Sequence, residues 1–149
     1  MCRRLLLPLA LLALAGCREQ RQQLGQALSG QPPVIAGNLE GEWQLADLNG
    51  GGAVAGGSLR FGVAGSDGSV GGTAGCNRFN GGWKQDGGNL KLGPFTATKM
   101  ACPPPVMDVE RRVLALLEAV NSVTYTADGG AFLAARDGRK LRLRRPPAN

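Results

Sequence analysis

The chain contains no histidine among its 149 residues, and this absence restricts its chemistry more than any other feature of its composition. Histidine is the most common general base in enzymes and a frequent metal ligand, so either role would have to rest on other side chains. No GxSxG, HExxH or phosphate-binding motif is present, and the glycine-rich stretch GGGAVAGG at 50–57 lacks the lysine that contacts a phosphate. We therefore expect no enzymatic activity, no metal site and no cofactor.

Aromatic residues are also few, and long apolar runs are missing. Four Phe, two Trp and one Tyr provide little of the surface that lines a roomy ligand cavity. The longest apolar run, at residues 5–15, is shorter than the roughly 20 residues that a membrane-spanning helix needs. The sequence thus disfavours a helical membrane span and a large ligand cavity.

The N-terminal segment has the order of parts of an export signal: a short basic stretch, an apolar run and small residues that lead to Cys17. The tetrapeptide LAGC at 14–17 resembles the bacterial lipobox, whose cysteine receives a diacylglyceryl group before the signal is cut away. We expect a lipoprotein signal peptide at 1–16 and lipidation of Cys17. The alternative is an ordinary cleaved signal that ends near a cysteine. Arg18, in place of the aspartate that retains lipoproteins at the inner membrane, favours lipid anchoring to the outer membrane, facing the periplasm.

The mature chain divides into a tether and one domain. Residues 17–38 are rich in Gln, Gly and Pro and show no apolar period, which predicts a flexible tether that spans about 25 Å. The remaining stretch, 39–145, has the length of one common domain and leaves no room for a second.

Four Asp-Gly pairs separate short segments of alternating polarity in this domain. Asp-Gly is favoured in tight hairpin loops because both residues tolerate a positive φ. Each segment places an apolar face inward and a polar face toward water, as half-buried strands do. The predicted inward residues are Trp43 and Leu45; Leu59, Phe61 and Val63; Leu90 and Leu92; Val123 and Tyr125; and Leu141 and Leu143.

One segment has the periodicity of an amphipathic helix. Its apolar residues are spaced three or four positions apart: Val106, Val109, Val113, Leu116 and Val120. We expect Asp108 and Glu110 to be favourable charges near the start of this helix. Because antiparallel strands must hide their edges, the sequence predicts a mainly β fold. It would be a small antiparallel barrel or strongly curved sheet of about seven to eight strands, with one α-helix that plugs an end or covers a face.

Two cysteines remain in the domain, Cys76 and Cys102. An even pair in an exported chain indicates a disulfide, because the bacterial periplasm is oxidising. Such a disulfide would close a loop of about 27 residues and stabilise the domain by roughly 3 kcal/mol. A pair of free structural thiols is the alternative, whereas a zinc site lacks further ligands and a cysteine nucleophile lacks a histidine base.

Four segments in this order carry a family resemblance: GCNRFNGGW at 75–83, TKMACP at 98–103, VERRVLALLEAV at 109–120 and LAARDGRKLRL at 133–143. They resemble the META domain family, which includes the bacterial heat-shock lipoprotein HslJ, over nearly the whole domain. The resemblance implies a small, mainly antiparallel barrel-like fold with one helix. It also implies an envelope protein associated with stress tolerance, including resistance to novobiocin, and it implies no catalytic residues.

The resemblance identifies signature positions but implies no chemical role for them. These positions are Gly75, Cys76, Asn77, Arg78, Phe79, Lys99, Met100 and Cys102. Glycine at such a place can bend a strand, asparagine can bond nearby backbone groups, and an aromatic ring can add to the core. Arg78 and Lys99 are either solvated charges or a surface pair that faces a partner.

Positive charge is concentrated near the C-terminus of the domain. Residues 17–135 carry nine basic and ten acidic side chains, whereas 136–145 carry six basic and one acidic. The functional interpretation is contact with anionic lipid phosphates or with an acidic partner, and the alternative is a solvated strand face whose arginines discourage edge pairing. Nucleic acid is excluded as a partner by the predicted export. The possible anionic contacts are Arg139, Lys140, Arg142, Arg144 and Arg145.

Two functions are compatible with these features. The first is a non-enzymatic envelope lipoprotein that supports outer-membrane integrity or tolerance of antibiotics and heat by binding an envelope protein partner. The alternative is a periplasmic inhibitor of lysozyme or protease, or a barrel lipoprotein that binds a small ligand.

Overall fold

The computed structural model of the protein describes residues 37–63 and 68–147. The predicted signal peptide at 1–16, the predicted lipidation site Cys17 and most of the predicted tether at 17–38 lie outside these ranges. Eight strands and one helix follow in the order β1 (Gly41–Leu48), β2 (Gly57–Phe61), β3 (Ser69–Ala74), β4 (Arg78–Asp86), β5 (Asn89–Ala97), α1 (Pro104–Ala119), β6 (Val120–Tyr125), β7 (Ala131–Ala135) and β8 (Lys140–Arg144).

The strands form a closed barrel in which each strand pairs with the next along the chain and β8 returns to β1. Every pairing is antiparallel. Closure removes most of the edges that an open sheet would expose. The prediction of a mainly β, antiparallel barrel with about eight strands and one helix is therefore confirmed.

Three of the four Asp-Gly pairs lie at hairpin connections. Asp128-Gly129 joins β6 to β7 and Asp137-Gly138 joins β7 to β8, and both glycines have a positive φ. Between β4 and β5 the loop is instead Gly87-Gly88, because Asp86 pairs directly with Asn89. The fourth pair includes a residue outside the described ranges.

The inward residues of the strands meet in one core, in which Trp43, Phe61 and Phe79 are the largest almost fully buried side chains. The predicted inward positions are buried, or half-buried at Tyr125, with one exception. Val63 is 79 % exposed, because β2 already ends at Phe61. That part of the strand prediction was wrong.

Strand β3 has no alternation that would reveal it in the sequence, because glycine occupies two of its six positions. Val70 and Ala74 nevertheless face the core. A Cβ added at Gly72 would collide with the carbonyl oxygen of Ser58 on β2. Glycine is therefore needed where the two strands approach closely.

Helix α1 connects the end of β5 to the start of β6 and lies at that end of the barrel, where its residues Val113, Leu116 and Leu117 are fully buried. We call this the helix end; it comprises α1 and the connections 49–56, 75–77, 98–103 and 136–139. The helix begins at Pro104, so neither Asp108 nor Glu110 lies in its first turn. The prediction that they are charges at the helix start was wrong.

The opposite end of the barrel is closed by residues 37–40, which precede β1. Leu39 is fully buried, and its carbonyl accepts a hydrogen bond of 2.6 Å from Trp43 Nε1. The Arg145 guanidinium lies 3.7 Å from the centre of the Trp43 ring and donates to the backbone carbonyls of Asn38 and Glu40. We call this the N-terminal end; it comprises 37–40, the connections 87–88 and 126–130, and Arg145.

Within the described ranges, no helix has the length and apolarity that a membrane span requires.

Candidate functional site

The two signature segments meet at the helix end, where Cys76 and Cys102 lie at disulfide distance with their Cα atoms 6.3 Å apart. Cys76 lies in the connection between β3 and β4, and Cys102 lies just before α1. A bond between them joins the β-barrel to the start of the helix.

Asn77 is the centre of a hydrogen-bond network beside this cysteine pair. Its side chain is almost fully buried, and its Oδ1 accepts from the Met100 N–H at 2.7 Å and from the Thr98 hydroxyl at 2.9 Å. Its Nδ2 donates to Glu110 Oε1 at 2.8 Å, and its backbone N–H donates to Glu110 Oε2 at 2.7 Å. A buried polar group must have such partners, because burial without them costs free energy. Asn77 therefore connects β4, the segment after β5 and the helix.

Glu110 is the partner that sequence reasoning missed, since a glutamate on a helix is usually solvated. It is only 5 % exposed, and it bonds two N–H groups of one residue. A signal for it does exist in the sequence. Val106, Glu110, Val113 and Leu117 are spaced by four, three and four positions, so the glutamate interrupts the apolar stripe that faces the core.

The remaining signature positions are divided between core and surface. Gly75 has a φ of 111°, a backbone conformation that favours glycine. Phe79 is fully buried and meets Phe95 edge-on, with 5.6 Å between the ring centres. Arg78, Lys99 and Met100 are exposed, Met100 by 55 %. The structure thus brings the signature residues together, with Arg78, Lys99 and Met100 at the surface.

Strand β8 and the turn before it carry the residues predicted to contact an anionic surface, and two of the arginines are paired with acids. Arg139 Nη2 lies 2.8 Å from Asp137 Oδ2, and Arg142 Nη2 lies 2.9 Å from Asp128 Oδ2. The hydrogen bond from the Arg139 side chain lowers the pKa of Asp137, and the same bond raises the pKa of the Arg139 guanidinium. Arg142 also lies 5.8 Å from the centre of the Phe132 ring.

Two further arginines of this group have neutral partners. Arg144 Nη2 donates to Gln44 Oε1 at 3.1 Å, and Arg145 bonds the backbone of the N-terminal end. The Lys140 side chain is exposed and forms no ion pair with any described residue. An anion would have to compete with internal partners for four of the five groups, and contact with an anionic surface stays a prediction.

A second basic surface, which no run of charges in the sequence indicates, lies on the outer face of the β4–β5 hairpin. Lys84 and Lys91 are direct partners in the register of the two strands. Arg78, the first residue of β4, lies nearer the helix end, and Lys99 lies in the connection that follows β5. All four side chains are exposed, and in the described structure none of them forms an ion pair.

An open groove of about 620 Å³ runs over the neighbouring outer face of β1 to β4. Gly71 and Gly72 are among its lining residues, and Arg78 and Asn80 line one side. Arg60 and Glu42, on the other side, form an exposed ion pair of 3.3 Å. Among the described residues, no three His, Cys, Asp or Glu side chains converge as a metal site would require.

Comparisons with known proteins agree with this architecture. Two solved structures are similar in fold: an NMR structure of a protein from Burkholderia xenovorans (TM-score 0.58, 21 % identity, 80 % of this chain and 97 % of that one), and a second NMR structure of a protein (TM-score 0.55, 23 % identity, 71 % and 89 %). No curated protein matches the sequence significantly. The family model of the META domain matches residues 37–147, which include every strand and the helix. The chain therefore belongs to the META domain family.

Proposed function

We propose that this META-domain protein is a non-enzymatic lipoprotein of the bacterial envelope, lipid-anchored through Cys17 to the periplasmic face of the outer membrane. There it supports membrane integrity or tolerance of antibiotics and heat by binding an envelope protein partner. Residues 37–40 join the barrel at the N-terminal end, so a lipid on Cys17 would be connected to the domain through that end.

One observation carries the proposal: the buried polar pair Asn77 and Glu110 is used internally, whereas charges that form no ion pair with any described residue are displayed on a strand surface. Asn77 and Glu110 bond each other in the protein interior, where no substrate reaches them. Lys84 and Lys91 are exposed on the outer face of the barrel. A broad charged surface on a rigid scaffold suits recognition of a macromolecule, and charge complementarity there increases the specificity and rate of association.

The interior of the barrel supports a scaffold role more than a carrier role. The positions that face inward are filled by side chains such as Trp43, Phe61 and Leu133, which are at most 2 % exposed. A small barrel filled in this way has a packed core, whereas a carrier needs space for its ligand.

Anchoring and function can be tested together in a bacterial strain that lacks the protein. We expect the full chain to restore growth under novobiocin and at high temperature, and a Cys17→Ser variant to fail because it is not held at the membrane. Cys2→Ser is the matched control, since Cys2 lies in the predicted signal peptide. Mass spectrometry of the mature N-terminus should show a diacylglyceryl group on Cys17.

Partner binding is tested by affinity purification of the full chain from detergent-solubilised envelopes. Growth that does not depend on the protein, together with recovery of no envelope protein above background, would contradict the proposal. Inhibition of lysozyme or of a protease by the purified chain would instead support the alternative of an inhibitor.

A further inference from the structure

The groove over the outer face of β1 to β4 presents polar groups to solvent. Leu59, Val70 and Phe79 lie along it but are at most 1 % exposed, because their side chains face the core. The alternation of each strand directs their neighbours outward instead, among them the registered partners Ser58 and Thr73. A ligand in this groove therefore meets hydroxyl, amide and charged groups, and not the apolar side chains of the core.

The β4 side of the groove carries donors that the described residues leave unused. Arg78 and Asn80 are exposed, and they bond other described residues only through their backbone atoms. Arg78 also forms no ion pair within 37–63 and 68–147. A guanidinium with free N–H groups binds a carboxylate or a phosphate through two parallel hydrogen bonds. This side of the groove is therefore suited to an anionic group.

The β1 side differs, because its charges already balance each other. Glu42 and Arg60 are registered partners and form an exposed ion pair of 3.3 Å. An exposed pair of this kind contributes little stability, so both groups are available to a ligand, the carboxylate as an acceptor and the guanidinium as a donor. A hydroxyl group uses both, since it donates one hydrogen bond and accepts others. This side is therefore suited to a neutral group that bears hydroxyls.

Short side chains occupy the middle of the groove. Thr73 Oγ1 accepts from the Gly75 N–H at 3.2 Å, which leaves the hydroxyl proton available for a ligand. Next to Thr73, Gly71 stands in register between Arg60 and Asn80. A Cβ added at Gly71 would lie only 2.5 Å from Asn80 Oδ1. Glycine at this position therefore allows the Asn80 amide to lie over β3, inside the groove.

We propose that the groove binds an acidic saccharide, a short chain of sugar rings that carries a carboxylate or a phosphate. The anionic group lies against Arg78 and Asn80. Ring hydroxyls bond Thr73 in the middle of the groove and the Glu42–Arg60 pair at the β1 side. The inference goes beyond the proposed function and does not depend on it, because it concerns a ligand site and not the surface that binds a protein partner.

The charges of the groove favour this occupant over a lipid surface. Its charged lining residues are two arginines and one glutamate, so it has a small positive excess with an acid at one side. A ligand with one anionic group and neutral hydroxyls complements that arrangement, whereas a dense layer of anionic headgroups would face the carboxylate of Glu42. An acyl chain would find no apolar side chain to cover, because those along the groove are buried.

The strand pairing favours a saccharide over an added peptide strand. From β1 to β4 every strand is hydrogen-bonded to a neighbour on both sides, so these strands present no free edge. The distance from β1 to β4 is three strand spacings, about 14 Å, which exceeds the length of one sugar ring. The groove is therefore long enough for at least a disaccharide.

The first test compares three disaccharides of two linked glucose rings. One is unmodified, one has a carboxylate in place of a terminal hydroxymethyl group, and one carries a phosphate on that group. Binding to the full chain in a neutral detergent is followed through the NMR amide signals of Gly71 and Thr73. We expect at least one acidic disaccharide to bind at least about tenfold more tightly than the neutral one, and the tighter of the two identifies the anion. The proposal is overturned if neither acidic disaccharide binds more tightly than the neutral one.

The second test assigns the anion to Arg78. We expect Arg78→Gln to weaken binding of the tighter acidic disaccharide by at least about tenfold and to leave urea denaturation unchanged. The matched control is Lys84→Gln, which removes the same charge from an exposed residue of β4 about 20 Å away along the strand. We expect the control to change the affinity by less than about twofold, because that distance exceeds the Debye length. Equal weakening by both variants would show a response to net charge alone and would overturn the site.

The third test examines the shape of the groove without changing its charge. Gly71→Ala places a Cβ where the Asn80 amide lies, so we expect it to weaken binding of the same disaccharide by at least about threefold. Gly82→Ala is the matched control, because a Cβ at Gly82 would meet no atom closer than 3.7 Å and this residue does not line the groove. Unchanged affinity in the Gly71→Ala variant would overturn the proposed position of the ligand.

A final comparison separates the sugar from the anion that it carries. Acetate and inorganic phosphate should bind at least about tenfold more weakly than the corresponding acidic disaccharides, because they lack the ring hydroxyls. Vesicles of anionic phospholipid should bind the wild-type chain and the Arg78→Gln variant equally. The saccharide is overturned if the free anions bind as tightly as the disaccharides. It is also overturned if the vesicles require Arg78 and the disaccharides do not.

Discussion

The two ends of the barrel are closed by different kinds of interaction. At the helix end, Cys76 and Cys102 lie at disulfide distance and Asn77 shares hydrogen bonds with the buried Glu110. At the N-terminal end, Leu39 enters the core. There the Arg145 guanidinium lies against the face of Trp43.

The closure of one barrel can therefore depend on different interactions at its two ends. The helix end rests on buried polar groups, which are costly when any partner is removed. The N-terminal end rests mainly on apolar burial, with one buried hydrogen bond from Trp43 to Leu39 and the exposed hydrogen bonds of Arg145, whose individual loss is tolerated better. Redox conditions and polar substitutions should therefore affect the helix end first.

The largest effect is expected from breaking the buried network. Asn77→Ala removes the side-chain donor to Glu110 and the acceptor for Met100 and Thr98, so we expect a loss of about 3 to 5 kcal/mol in the free energy of unfolding. Denaturation by urea, followed by tryptophan fluorescence, measures this loss. Asn80→Ala, on the outer face of β4 just after Asn77, is the matched control and should cost less than about 0.5 kcal/mol. A similar loss for both variants would contradict the special role of the network.

The next largest effect is expected from removing the cysteine pair at the helix end. Cys76 and Cys102 are separated by 26 positions, so the double serine variant should lose roughly 3 kcal/mol of stability if the two thiols are oxidised. Dithiothreitol should destabilise the wild-type chain by a similar amount and leave the double variant unchanged. Mass spectrometry that finds two free thiols in protein isolated from the periplasm would refute this expectation.

A smaller effect is expected at the N-terminal end. Arg145→Ala removes the contact with the Trp43 ring and the hydrogen bonds to backbone carbonyls, and we expect it to cost about 1 to 2 kcal/mol. Arg144→Ala removes a single bond to Gln44 and should cost about 0.5 kcal/mol. Urea denaturation of both variants provides the comparison. If Arg145→Ala lost more free energy of unfolding than Asn77→Ala, the N-terminal end would be the more sensitive of the two ends, contrary to this expectation.

The smallest effect concerns pH at the turn between β6 and β7. The pKa of Asp128 is lowered, first by the hydrogen bond from the Thr126 hydroxyl, then by the Gly130 N–H and then by Arg142. Because the pKa is lower in the folded state, the carboxylate contributes stability above its unfolded pKa, and this contribution is lost as pH falls through the folded pKa. We expect Asp128→Asn to flatten the stability profile slightly below about pH 4. An unchanged slope of stability against pH in that range would show that the ionised Asp128 makes no measurable contribution to stability.

Sequence reasoning was most successful where a residue's role depends on local pattern. The alternation around Trp43 and around Leu141 places each strand correctly, because the side chains of a strand alternate between two faces. It failed at β3, where glycines remove the alternation, and at Val63, where the pattern continues after the strand has ended. The family resemblance indicated that Asn77 matters but not which groups it would bond.

The sequence by itself determined the mainly β class and the one helix of the described residues, because composition and periodicity act over short distances along the chain. Only the tertiary structure decided that Glu110 bonds Asn77, that Arg142 is paired with Asp128 and that Lys84 faces Lys91 with no ion-pair partner among the described residues. These facts depend on register and on the packing of residues far apart in the chain, and the energy of a charge is set by what surrounds it in space.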